Sequence, residues 1–176
     1  DAAAELEPVL RGAPPARRSA FGLLQLLRGI QLARLGDERG ALAAVEMAEN
    51  VAAELGDRND FHTEFGPANV NIHRVCLALE LSRPAEAIRA AQRYDVAAVP
   101  TVERRFSHYV YLAKAYSIRS EDVAATHMLL CAERESAEDL RYNAEVRAVM
   151  RELMRRHSPV TRTELLPLAD RIGVLR

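Results

Sequence analysis

Apolar residues recur along most of this chain at the three-to-four spacing of one helix face, in blocks separated by polar breaks. Phe21, Leu24, Leu27 (or Leu26), Ile30, Leu32 and Leu35 mark residues 17–35 as an amphipathic helix. Gly36-Asp37 stops it, and Asp37 is placed to cap a second helix running to about Leu55, with Leu42, Val45, Met47, Ala48 and Val51 on its inner side. Gly56 ends that helix, and residues 57–66 read as a polar loop holding two phenylalanines. Pro67 and Pro84 suit the first turns of helices reaching about Leu81 and Tyr94. Thr101 precedes a helix over 102–118, and Ser120 one over 121–135. A further helix over 138–157 meets Ser158-Pro159, and a short last one begins at Thr161 or Thr163 and ends at Gly173. Upstream, residues 2–11 carry a small stripe of Leu6, Val9 and Leu10 before the break from Gly12 to Pro15. No stretch alternates with period two, so the predicted fold is all-α.

Three blocks share one set of offsets. Gly29, Leu32, Gly36, Ala41, Val45 and Ala48 correspond to Val75, Ala78, Ser82, Ala87, Ala91 and Tyr94, and again to Ala113, Tyr116, Ser120, Ala125, Leu129 and Ala132. Small side chains at such places let two helices approach closely. The pattern predicts antiparallel pairs 17–35/37–55, 67–81/84–94 and 102–118/121–135, with Ala41, Ala87 and Ala125 at the crossings. A plain helical bundle is the alternative, and three matched registers favour stacked hairpins over it.

Composition narrows the class without naming a ligand. A chain of 176 residues, 49% hydrophobic and 28% charged, can bury a core as one domain and is not disordered. A net charge of -1 gives no global basic field for nucleic acid. Lys114 is the only lysine among many arginines, which with the abundant alanine suggests a GC-rich bacterial genome. Cys76 and Cys131 lie in apolar helical stretches and read as buried free thiols of a cytoplasmic protein. No run approaches a membrane span, and no signal peptide is visible.

The repeated offsets resemble tetratricopeptide repeats, which implies stacked helical hairpins with a concave, peptide-binding side. The stretch FGPANVNIHRVCLALELSRPAEAIRAAQRYD, from Phe65 to Asp95, is similar to the sensor half of actinobacterial transcription regulators. These pair an XRE-type helix-turn-helix with a tetratricopeptide-like C-terminal domain. The segment RRFSHYVYLAKAYSIRSEDVAATHMLLCAERESAEDLRYNAEVRAVMRELMRR, from Arg104 to Arg156, resembles the same family. No segment matches that family's DNA-binding module. The resemblance therefore implies a ligand- or peptide-sensing and dimerisation domain, with DNA bound only through a domain outside this chain. Residues 1–15 then read as a linker from that domain. A protein-interaction scaffold with no ligand switch is the alternative.

Asn69, His73, Cys76 and Glu80 follow each other at spacings of four, three and four, which places them on one helix face. The repeat register makes that face concave, so they form a candidate ligand patch, and the bland alternative is buried polar groups satisfied by the FHTEF loop. Arg34, His108, Tyr111 and Lys114 are further candidates; Arg34 and Lys114 fall at matching or nearby concave positions of the first and third repeats and suit a carboxylate. Surface charge on helix ends is their alternative. The expected groove is lined by Leu26, Ile30, Ile72 and Val110. Arg147, Arg151 and Arg155, with Arg141 and Arg156 nearby, form a stripe that could meet phosphates, but interspersed Glu138, Glu145 and Glu152 favour a solvated face. His62 and His73 lack the close pairing of metal motifs, and Cys76 has no base but His73. No phosphate loop, nucleophile triad or paired-carboxylate motif occurs. The expectation is of no enzyme, no cofactor and no metal.

Overall fold

A computed structural model describes residues 12–156 and 159–174. The helix expected over residues 2–11 lies outside these residues, as does Ser158 of the expected break. Within them the chain forms α1 (Pro15–Arg34), α2 (Glu38–Leu55), α3 (Pro67–Glu80), α4 (Pro84–Ala91), α5 (Val102–Ile118), α6 (Asp122–Glu135), α7 (Ala137–Tyr142), α8 (Ala144–Arg156) and α9 (Arg162–Arg171). Two 3-10 turns, Asp60–His62 and Val96–Ala98, interrupt the longer connections. Among the described residues there is no strand, only an isolated antiparallel bridge between Arg58 and Phe65. The chain packs as two compact units, one ending at Leu81 and the other beginning at Ser82.

In the first unit α1 lies along α2, and α3 packs on both. Asp37 caps α2 as its sequence position suggests, its Oδ1 accepting from the Gly40 N–H at 2.9 Å. The faces turned inward are the small ones. Ser19, Gly22, Leu26, Gly29, Ile30 and Ala33 are buried on α1, and Ala41, Ala44, Val45, Ala48 and Ala52 on α2. A Cβ on Gly29 would stand 2.9 Å from Val45 Cγ2 and 3.1 Å from the Ala41 carbonyl oxygen, so glycine sets this crossing. The expected stripe is only partly inside: Leu26, the alternative to Leu27, and Ile30 are buried, but Leu24 is 62% exposed, Leu27 48% and Leu35 82%. Leu42 is likewise exposed on α2. The cause is that close approach of backbones needs the small face inward, and a helix has only one such face.

In the second unit α5 lies along α6, while α4, α8 and the 96–98 turn pack on α5. Phe106, Val110, Leu129, Leu140, Met150 and Leu153 lie in one core cluster together with residues of α9. The expected single helix over 138–157 is two. Asn143 takes an extended conformation (ψ 124°) and its Oδ1 accepts from the Val146 N–H at 3.1 Å, so it ends α7 and caps α8. The expected middle pair is not a hairpin inside either unit, because α3 takes α1 and α2 as partners and α4 takes α5.

The repeat offsets nevertheless carry a shared local geometry. Gly36, Ser82 and Ser120 follow the three first helices, and all are left-handed, with φ of 81°, 58° and 61°. At Gly36 and Ser120 the chain closes with paired bonds: Asp37 N–H to Leu32 O and Gly36 N–H to Ala33 O, and correspondingly Glu121 N–H to Tyr116 O and Ser120 N–H to Ser117 O. Ala41, Ala87 and Ala125 are each fully buried. Serine gains nothing from the left-handed region that glycine would not supply without strain. Ser120→Gly is therefore expected to stabilise the protein by about 0.5–1 kcal/mol, read as a higher urea midpoint with unchanged slope. A lower midpoint would mean that the serine side chain matters more than its backbone.

Candidate functional site

The candidate residues of the first unit sit on α3 and at the end of α1. Gly66, with φ 155°, turns the chain into α3, where a Cβ would stand 2.4 Å from the Asp57 Cα. Asp57 Oδ1 accepts from the Ala68 N–H in the first turn at 3.0 Å. Phe65 and Arg58 exchange backbone bonds of 2.7 and 2.8 Å, closing the 57–66 connection on itself. Arg58 grips Asp60 through Nε at 2.6 Å and Nη2 at 3.2 Å, and that hydrogen bond holds the Asp60 carboxyl below its ordinary pKa. Three non-glycine residues here, Phe61, His62 and Glu64, are left-handed.

On this frame Asn69 Nδ2 donates to the Glu64 carbonyl at 2.6 Å, while its buried Oδ1 has no hydrogen-bond partner. His73 Nδ1 lies 2.9 Å from the Asn69 carbonyl, which can only accept, so Nδ1 carries the imidazole proton. Asn69, His73 and Cys76 are buried, and α3 is buried around most of its circumference. Glu80 accepts from Arg34 Nη2 at 2.9 Å, joining the ends of α3 and α1. The structure thus brings together Asn69 with His73, and Arg34 with Glu80. Leu26, Ile30 and Ile72, expected to line a groove, are core residues.

His108, Tyr111 and Lys114 belong to α5 of the second unit. Lys114 Nζ pairs with Glu145 Oε2 of α8 at 2.9 Å. Tyr111 is half-buried, and Val110 is in the core. His108 is buried, 2.5 Å through Nδ1 from the Tyr94 hydroxyl, with Tyr94 and Tyr109 both edge-on to its ring. Burial pushes the His108 pKa down to about 4 and raises that of Tyr94. Both groups are therefore neutral at pH 7. The phenol O–H, the stronger donor, donates a hydrogen bond to Nδ1, which leaves the imidazole proton on Nε2. Tyr94 was hidden from sequence reasoning because it occupies the repeat position that Ala48 and Ala132 hold elsewhere. An aromatic ring in a small-residue place was the one signal available.

The arginine stripe on α8 is largely engaged. Arg156 reaches Asp122 Oδ1 at 2.7 Å, the Ser117 carbonyl at 2.8 Å and Glu152 Oε1 at 2.9 Å. Arg155 also holds Glu152, and these bonds lower the Glu152 pKa to about 2. Arg147 donates to the Arg141 carbonyl at 3.2 Å and the Ile172 carbonyl at 3.3 Å. Cys76 is buried and Cys131 only half-buried, 3.6 Å from His127 Nε2, and both are free thiols. Burial raises the Cys131 pKa, which disfavours its thiolate. Among the described residues no three His, Cys, Asp or Glu side chains are grouped to hold a metal ion, and no helix is long and apolar enough to cross a membrane. No protein-family model, no curated protein and no solved structure matches this chain.

Proposed function

We propose that this chain is the regulatory part of a bacterial transcription regulator. It is a domain of stacked, degenerate tetratricopeptide-like hairpins that senses a small ligand or peptide and dimerises, while a domain outside it contacts DNA. One observation carries the architecture. Gly36, Ser82 and Ser120, at equal offsets in the three blocks, all turn left-handed, and Ala41, Ala87 and Ala125, five residues on, are all fully buried. A sequence register that places the same left-handed turn and a buried alanine five residues on three times supports a repeat, although only the first and third blocks pack as helix pairs. The regulatory role rests on the resemblance of residues 65–95 and 104–156 to the sensor domains of XRE-type regulators. In this reading the protein is cytoplasmic and non-enzymatic. Binding of that ligand shifts a dimer between two arrangements, only one of which suits an operator.

The test is a fusion of the whole chain behind a monomeric helix-turn-helix domain. The fusion should sediment as a dimer and bind a two-half-site operator more tightly than the headpiece alone. A monomer with headpiece-like affinity overturns the proposal. A scaffold without a ligand switch is the second reading, and a specific observation favours it. Arg34, Lys114 and His108, the groups best suited to hold a ligand, already hold Glu80, Glu145 and Tyr94.

A further inference from the structure

His127 and Cys131 stand one turn apart on α6 and converge at its surface, with Sγ 3.6 Å from Nε2. His127 is exposed and Cys131 half-buried. Neither side chain has another hydrogen-bond partner among the described residues. In a tetrahedral zinc site, bonds of about 2.3 Å to sulfur and about 2.0–2.1 Å to nitrogen put two such donors about 3.5–3.6 Å apart. The thiol–imidazole contact therefore already holds the pair at the edge length of a metal tetrahedron. An ion entering there takes the place of the thiol proton, which leaves to solvent, and both side chains keep their positions.

The neighbouring carboxylates are engaged, Glu135 with Arg105 and Glu133 with Arg171. A thiolate and an imidazole without a free carboxylate select a borderline-soft ion such as zinc over calcium or magnesium. One chain groups no third donor here among its described residues, and a closed zinc site takes four. We propose that two copies of this chain share one zinc-class ion, each giving Cys131 Sγ and His127 Nε2. A two-fold axis through the ion supplies the missing pair from the same surface of the second copy. Two thiolates also neutralise a divalent ion, so the shared centre can be covered by protein, whereas a single thiolate would leave net charge to be buried. Val123 and Val160, both exposed, flank His127 in a shallow hollow that the second copy would cover. The inference does not rest on the regulatory reading, which asks for a dimer but not for an ion.

Cobalt(II) is the probe, because zinc has no d–d spectrum. Added to the reduced, intact chain, it should saturate at one ion for two chains. The product should show thiolate-to-cobalt charge transfer in the near ultraviolet and the intense visible bands of a tetrahedral ion. Zinc should displace the cobalt, and sedimentation of dilute protein should show self-association tightened by zinc and loosened by EDTA. Cys131→Ser and His127→Gln should each weaken cobalt binding by at least about a hundredfold, more than the loss of an outer-shell partner, with helicity unchanged. A cobalt complex without thiolate charge transfer, one ion bound per monomeric chain, or binding indifferent to both substitutions overturns the proposal. A dimer that persists in EDTA and gives no cobalt signal also overturns it, while leaving the regulatory reading intact. A chain that is monomeric with zinc and with EDTA counts against both.

Discussion

Phe65→Ala is expected to cost about 3–5 kcal/mol. The ring is 2% exposed and sits on Gly22 of α1, where even a methyl group would come within 2.0 Å of Cζ. Its partner has no side chain with which to fill the vacated volume, so the hole cannot close by repacking at Gly22. Urea denaturation of the purified variant measures this. The same contact makes Gly22→Ala disruptive in the natural protein and much less so in the Phe65→Ala background, a coupling that a double-mutant cycle reads directly. Additive effects of the two substitutions would remove Phe65 from the α1 interface.

The second large effect is a loss of stability in mild acid traced to His108. In the unfolded chain its pKa is near 6.5, and in the folded protein burial holds it at about 4. Between those values the unfolded state binds the extra proton and the folded state does not, so stability rises with pH across the window. It is complete above about 6.5, declines as pH falls toward 4, and levels off below. The full difference is roughly 3 kcal/mol. His108→Gln keeps an acceptor for the Tyr94 hydroxyl and removes the titration, so the pH slope of the denaturation midpoint should flatten between pH 6.5 and 4. The Glu152 pair acts elsewhere on the scale. Its depressed pKa supplies stability above the ordinary glutamate range, and that is lost only as pH falls toward 2. Parallel pH profiles for the protein and His108→Gln would show that His108 accepts its proton without unfolding anything.

The helices were legible because their signals are local. Asp37 caps α2, Gly173 ends α9 with a left-handed turn, and prolines open α3 and α4 where the sequence places them. The inward faces were not equally legible. Of the apolar stripe expected on α1, Leu26 (the alternative to Leu27) and Ile30 are buried, while Leu24, Leu27 and Leu35 are exposed, because packing turned inward the side that also carries Gly22, Gly29 and Ala33. Asn143 splits one amphipathic stripe into two helices, since a side-chain cap competes with helix continuation at a residue that periodicity reads as neutral. Of the candidate site, the spacing along α3 named Asn69, His73, Cys76 and Glu80, and the structure buries the first three and leaves Glu80 partly exposed. The spacing could not foresee their local partners. Those come from Glu64, on a loop read as merely polar, and from Arg34, forty-six residues away.

Arg156 gives the scarcity of lysine a second meaning. One planar cation there serves a helix-end carbonyl through Nη2, a carboxylate at the next helix start through Nη1, and a carboxylate on its own turn through Nε and Nη2. An ammonium group, with its donors crowded on one atom, could satisfy one of these acceptors well and would leave the others to compete. Whatever mutational bias enriched arginine in this chain, the joint between Ser117, Asp122 and Glu152 has come to depend on its shape. A lysine at that position would leave at least one of the three acceptors without a charged donor.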